Sequence, residues 1–302
     1  MGSRPQLAQA QAQAAPVEPT GASAVRPLLP SLRWLLIVAS VLVALAGLQL
    51  FVFTSRTGSF FAWTIANPLA AAFLGGAYWA AVPIEALAAR QPVWAIARIA
   101  VPAVSVFTAL TLAVTLMHLG QFYLGRHFAA GTQIVTVAWI AIYALVPLLM
   151  LIVLVAQARV PGADPPRLAR LPGWTCGVLA VQAVVLLGMG VALFAAPGPA
   201  AQAWPWQLTP LTAQATGAWL ISLGVAAGQA LAERDARRLR PAAAGAVVLA
   251  VLQSVALARY PHRFDWQSPS GIVYLIFLAS FLLTGAAGLA KGLIRPAPTK
   301  ED

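Results

Sequence analysis

Apolar residues run along this chain in blocks of about twenty, and short polar stretches rich in Pro, Gly and Arg separate the blocks. At 1.5 Å per helical residue, ~20 residues cross a hydrocarbon layer about 30 Å thick. Eight blocks reach that length: 33–53, 67–89, 98–118, 134–156, 174–195, 210–231, 241–259 and 272–293. None shows the apolar/polar alternation of a barrel strand, and a lone strand would leave its backbone groups unsatisfied in lipid. The pattern therefore predicts an all-α, polytopic membrane helical bundle of about eight transmembrane helices. The first block contains Ala44-Leu45-Ala46, which looks like a signal-peptidase site. The block starts late and continues past that site, so an uncleaved first span is expected.

The polar intervals divide the chain further. Residues 1–30, rich in Gln, Ala and Pro, are expected to form a disordered cytoplasmic tail. Residues 158–173 contain Pro161, Pro165, Pro166 and Pro172 and read as a cytoplasmic linker. That linker separates a first set of four spans (31–157) from a second (174–294), and residues 295–302 form a short tail. The two sets share a pattern. Trp63, Pro68, Leu69 and Gly75 align with Trp206, Pro210, Leu211 and Gly217 across one gap. Phe122 then matches Phe264, and Ile134-Val135 matches Ile272-Val273. An even number of spans per copy makes such a repeat parallel, related by an axis along the membrane normal.

Composition agrees with the pattern. Apolar residues make up 60% of the chain and charged residues 9%, against about 25% charged in a soluble domain. The excess of Arg over Lys, 17 to 2, and the abundance of Ala read as the codon bias of a high-GC bacterium. The net charge of +11 does not indicate nucleic acid, because the basic residues are scattered between apolar blocks. Their distribution orients the chain instead. With the N-terminus inside, the cytoplasmic segments hold 15 basic residues. The outer loops hold four, Arg56, Arg126, Arg259 and Arg263. This bias predicts a protein of the bacterial cytoplasmic membrane with both termini in the cytoplasm. Cys176 stands alone in an apolar block, which excludes an internal disulfide and reads as a small buried hydrophobe.

Candidate chemistry gathers at the outer ends. Asn67-Pro68 and Thr209-Pro210 each set a capping side chain before a proline at the first helical position. Aromatic residues precede both starts: Phe60, Phe61 and Trp63 in one case, Trp204 and Trp206 in the other. The loops after the third and seventh spans add His118, Phe122 and His127, and Tyr260, His262, Phe264, Asp265 and Trp266. Together these residues outline an outer-face cleft, in which aromatic rings stack on a ligand and two helix N-termini favour an anionic group. An interfacial aromatic belt accounts for the same residues. His118, His262 and Asp265 follow no metal-ligand spacing, so no metal or other cofactor is expected.

Inside the blocks, Glu85 is the only acidic residue. It lies about 25 Å along its helix from Pro68, near the cytoplasmic surface, where an ion pair with Arg90 or Arg98 is expected. Pro83, Pro102 and Pro147 predict kinks in the first half, whereas the spans of the second half have proline only at their starts. Nucleotide-binding, metalloprotease, haem-attachment and serine-hydrolase motifs are missing, so an enzyme is the less expected reading. The stretch FAWTIANPLAAAFLGGAYWAA (residues 61–81) resembles a segment of multi-pass membrane proteins of high-GC bacteria, a resemblance that extends over the first four spans and implies no activity. Three functions stay open. One is a transporter or channel for a small-molecule or lipid ligand, one an accessory or assembly protein, and one an enzyme acting on a lipid-linked substrate at the outer interface. The lipid bilayer is the expected partner of all three, and nucleic acid of none.

Overall fold

A computed structural model of the protein describes residues 24–125 and 127–293, with side chains as far as residue 290. Among these residues the chain is all-helical, and extended pairing is limited to isolated bridges. The main helices are α1 (Pro30–Val52), α2 (Pro68–Ala89), α3 (Val101–Met117), α4 (Ala130–Ala158), α5 (Gly173–Ala195), α6 (Pro210–Glu233), α7 (Ala236–Arg259) and α8 (Pro269–Leu293). Seven of them are long and apolar enough to cross a membrane; α3, with 17 residues, is shorter.

Local chemistry sets the helix starts. The Asn67 side chain accepts from the Leu69 N–H, and the Thr209 hydroxyl accepts from the Thr212 N–H, each ahead of a proline that has no donor to lose. Asp235 accepts from the N–H groups of Arg237 and Arg238 and so starts α7 one turn earlier than hydropathy suggests. Pro241 consequently lies inside α7, although the second half was expected to have proline only at helix starts. Pro102, expected at a kink, instead occupies the first turn of α3, where it breaks no hydrogen bond.

The connecting segments fall on two opposite faces. Residues 24–29 are bonded to Pro92, Trp94, Gly162 and Ala163, and Arg170 pairs with Asp235. These define the near face. At the far face Tyr123 N–H bonds to Ala62, Asp265 N–H to Pro205, and the Asn67 amide to Gln207. Of the expected tail, residues 1–23 lie outside the described residues. Residues 24–29 run extended and are clasped by Gln157 of α4, which accepts from Leu29 N–H and donates to the Pro27 carbonyl.

Two lobes result, each built from one hairpin of either half. In one lobe α1 packs on α2, α2 on α7 and α7 on α8; in the other α5 packs on α6, α6 on α3 and α3 on α4. Exchanging the halves maps each of these pairings onto another. Two glycines let paired helices touch. A Cβ at Gly75 would lie 2.4 Å from the Phe51 backbone nitrogen of α1, and one at Gly217 would lie 2.7 Å from the Gly190 carbonyl oxygen of α5. Helix α2 is the most buried long helix. The outer helices expose an apolar belt, with Val41 and Leu45 of α1, Leu148 and Ile152 of α4, Val184 of α5 and Ile276 of α8 among its residues. Water would penalise so large an apolar surface, and lipid would not.

Candidate functional site

The far-face candidates divide between packing, capping and exposure. Trp63 is buried against Phe61, Phe122 and Trp139, with ring centroids 4.5–5.2 Å apart. Trp206 is buried against Trp204, Phe73, Tyr274 and Phe264 at 5.1–6.2 Å. The matched residues of the two halves thus sit in matched but separate clusters, and each indole points into protein. Asn67 joins the two helix starts, because its amide donates to the Gln207 carbonyl while its oxygen caps α2. Thr209 bonds to Thr212.

The remaining candidates engage different partners. The Nε2 of His118 lies 2.5 Å from the Gln214 Oε1, and Gln121 donates to its Nδ1. Gln214 in turn donates to the Phe194 carbonyl at the end of α5. In the other half, Tyr260 meets the Thr54 hydroxyl, and Arg259 donates to the Phe51 carbonyl at the end of α1. Orphan carbonyls at two helix ends are therefore satisfied, that of α5 from within the second half and that of α1 from across the halves. Asp265 accepts from the N–H groups of Gln267 and Ser268 and shapes the turn before α8. His262 is exposed, and Trp266 is exposed with its N–H on the Pro261 carbonyl. Among the described residues no group of three or more His, Cys, Asp or Glu is placed to hold a metal.

A central feature lies deeper, between the lobes. A cavity of about 170 Å³ receives residues from all eight main helices. Small side chains make the space, among them Ala39, Ala81, Ala103, Ala226, Ala246 and Gly285. Its wall is almost wholly apolar. Ser222, Gln182 and Thr108 also line it, but their side chains are spent on Ala103, Ser280 and Val104 respectively. Three wall groups have a buried polar atom without a partner among the described residues: Glu85 Oε2, Thr175 Oγ1 and Trp219 Nε1. Glu85 is only 2% exposed. The ion pair expected for it is not formed. Arg98 turns to Glu233 and Asp164 instead, and the helix rotation that buries Glu85 was invisible to a count of rise along α2.

Contacts between lobes flank the cavity toward both faces. Toward the far face stands a cluster of rings: Tyr78 from one lobe, and Phe107, Trp139, Tyr143 and Trp219 from the other. The Tyr78 and Tyr143 hydroxyls are 2.7 Å apart, and the Tyr78 and Trp219 rings meet edge to face at 5.0 Å. Toward the near face, Ile99, Leu179, Ala227, Ala230 and Leu239 pack together. An ionic cluster lies beside them. Glu233 of α6 takes Arg98 on one oxygen at 2.6 Å and Arg238 of α7 on the other at 2.7 Å, and Asp164 of the linker joins Arg98 at 2.5 Å. The hydrogen bond to Glu233, reinforced by Asp164, raises the Arg98 pKa against the partial burial that opposes it. With this geometry in hand, the chain matches no protein-family model, no curated protein and no solved structure. None of the cavity's aromatic residues stands out in the sequence, where Phe107, Trp139, Tyr143, Trp219 and Phe281 are scattered rings within apolar blocks and Tyr78 adjoins Trp79.

Proposed function

We propose that this integral membrane protein is a transporter that carries a small, mainly apolar solute through the cavity between its lobes. One observation carries the reading: residues of all eight main helices line a single space that is flanked toward each face by contacts between the same two lobes. A bundle of that design exposes the space to one face when the ring cluster parts and to the other when the ionic cluster parts. Rocking of one unit against another around a fixed site is the usual form of alternating access. An assembly protein has no need of a central space with unpartnered polar groups in its wall.

The finer architecture belongs to the same proposal. The chain crosses the membrane eight times, α3 included, since 17 residues lie at the lower end of the range for a span. Its halves are parallel repeats, a reading supported by the exchange symmetry of the helix pairings and by the matched bonds Tyr123 to Ala62 and Asp265 to Pro205. The near face is cytoplasmic, in a bacterial inner membrane, because it gathers Arg26, Arg33, Arg90, Arg159, Arg167 and Arg170. Reporter fusions after Arg126 and after Gln202 should read as external; a cytoplasmic signal at both would sink the topology.

Transport is tested through the cavity itself. Ser222 is replaced by cysteine in a Cys176→Ser background and exposed to a small, membrane-impermeant thiol reagent from either side of oriented vesicles. A transporter lets the reagent reach Ser222→Cys from both sides, at unequal rates. If neither side reacts while the thiol titrates fully in denatured protein, the space is sealed and the proposal fails.

A further inference from the structure

Resting on the cavity reading above, the chemistry of its wall narrows the ligand: we propose that the cavity binds a small apolar molecule bearing one protonated amine, with Glu85 as its counter-ion.

The argument begins with charge. Among the residues lining the cavity, Glu85 is the only carboxylate, and no Lys, Arg or His joins it. Arg98, one of the cations expected to pair with it, and Arg238 are committed to Glu233 and Asp164. An ionised carboxylate in an apolar enclosure is costly unless an opposite charge meets it. Glu85 has an oxygen without a partner among the described residues, in a space large enough for a guest. A ligand ammonium supplies both the missing charge and hydrogen-bond donors. An anionic ligand would face the same carboxylate with nothing to offset it, and a wholly apolar one would leave it unpaired.

Size and shape come next. An apolar cavity of about 150 Å³ accommodates a benzene-sized molecule, so about 170 Å³ suits one ring or a short branched chain with a polar tip. The aliphatic wall takes the body of such a ligand. At the far end Tyr78 and Trp219 add ring faces and edges, which tolerate an ammonium or an aromatic ring alike. Thr175, whose hydroxyl oxygen is likewise unpartnered among the described residues, offers a second hydrogen-bonding point.

Isothermal calorimetry on the full chain in nanodiscs tests this with two probes of equal size, phenylethylammonium and 2-phenylethanol. Empty nanodiscs correct for partition into lipid. The amine should bind at least ten times more tightly than the alcohol, and Glu85→Gln should reduce it to the affinity of the alcohol. The ratio in the unaltered protein needs no variant, so a poorly folding Glu85→Gln does not spare the proposal. If the two probes bind equally and Ala226→Phe, which fills the cavity, abolishes both, the cavity takes apolar guests, and the amine assignment alone is overturned. If neither probe binds, the amine assignment falls and the cavity loses its claim as a ligand site.

Discussion

Single residues divide between those that hold the fold and those that face the cavity. Trp63 and Trp206 belong to the first group, since each fills a buried aromatic cluster. Trp63→Ala and Trp206→Ala should each lower stability by about 3–5 kcal/mol, the usual cost of removing a large buried ring. Denaturant or thermal unfolding in detergent measures this. Glu233 also acts on stability. Its carboxylate takes two guanidinium groups, and Arg238 is almost wholly buried. Removing one partner of a buried ion pair costs about 3–5 kcal/mol. Because Arg98 is partly exposed and its share is screened by water, Glu233→Ala should fall at the lower end. Ser222 and Thr108 contrast with these residues, as their hydroxyls bond to helix carbonyls and leave little for a ligand.

At the scale of helices, the sequence was most informative about ends. Asn67-Pro68, Thr209-Pro210 and the linker prolines carry local chemistry that stops or starts a helix whatever surrounds it, and the starts of α2 and α6 fall there. Rotation about the helix axis was not legible. An aromatic residue near a helix start faces lipid, a cleft or the core with the same sequence neighbours, so Trp63 and Trp206 suggested an open rim although both rings turn inward. Glu85 suffered the same ambiguity. Helix contact itself gives a paired prediction. Gly75→Leu should separate α1 from α2, and Gly217→Leu should separate α5 from α6, since backbone atoms stand where the new side chains begin. Each should lower stability by about 1–3 kcal/mol or prevent folding, whereas Gly228→Leu, which meets open space, should cost far less. Comparable loss at all three would remove glycine contact as the cause.

For the whole molecule, the hidden feature was the cavity. It is made by side chains that are too small to meet, and in a chain so rich in Ala those residues look like background composition. Only the arrangement of both lobes shows that Ala81, Ala103, Ala226 and Ala246 face one space. The near end of that space depends on a few inter-lobe contacts, which yields a further expectation. In the Cys176→Ser background, Glu233→Gln should speed labelling of Ala227→Cys from the near face by about tenfold or more, the effect of weakening a closed state by about 1.4 kcal/mol. An unchanged rate would mean that the aliphatic cluster of Ile99, Leu179 and Leu239 closes this end unaided.

The interlocked lobes also govern how the chain is built. Helix α2 leaves the ribosome early, yet its main partner from the other half, α7, begins only at Ala236. About 150 residues separate the two, which at 5–20 residues per second means ~7–30 s of synthesis. Throughout that interval the flank of α2 that will meet α7 has no protein partner, and α3 similarly waits for α6. Biogenesis therefore has to tolerate a half-finished intermediate in the bilayer. A stop codon after Gln157 should yield a fragment that quality-control proteases clear quickly, and supplying residues 158–302 as a separate chain should protect it.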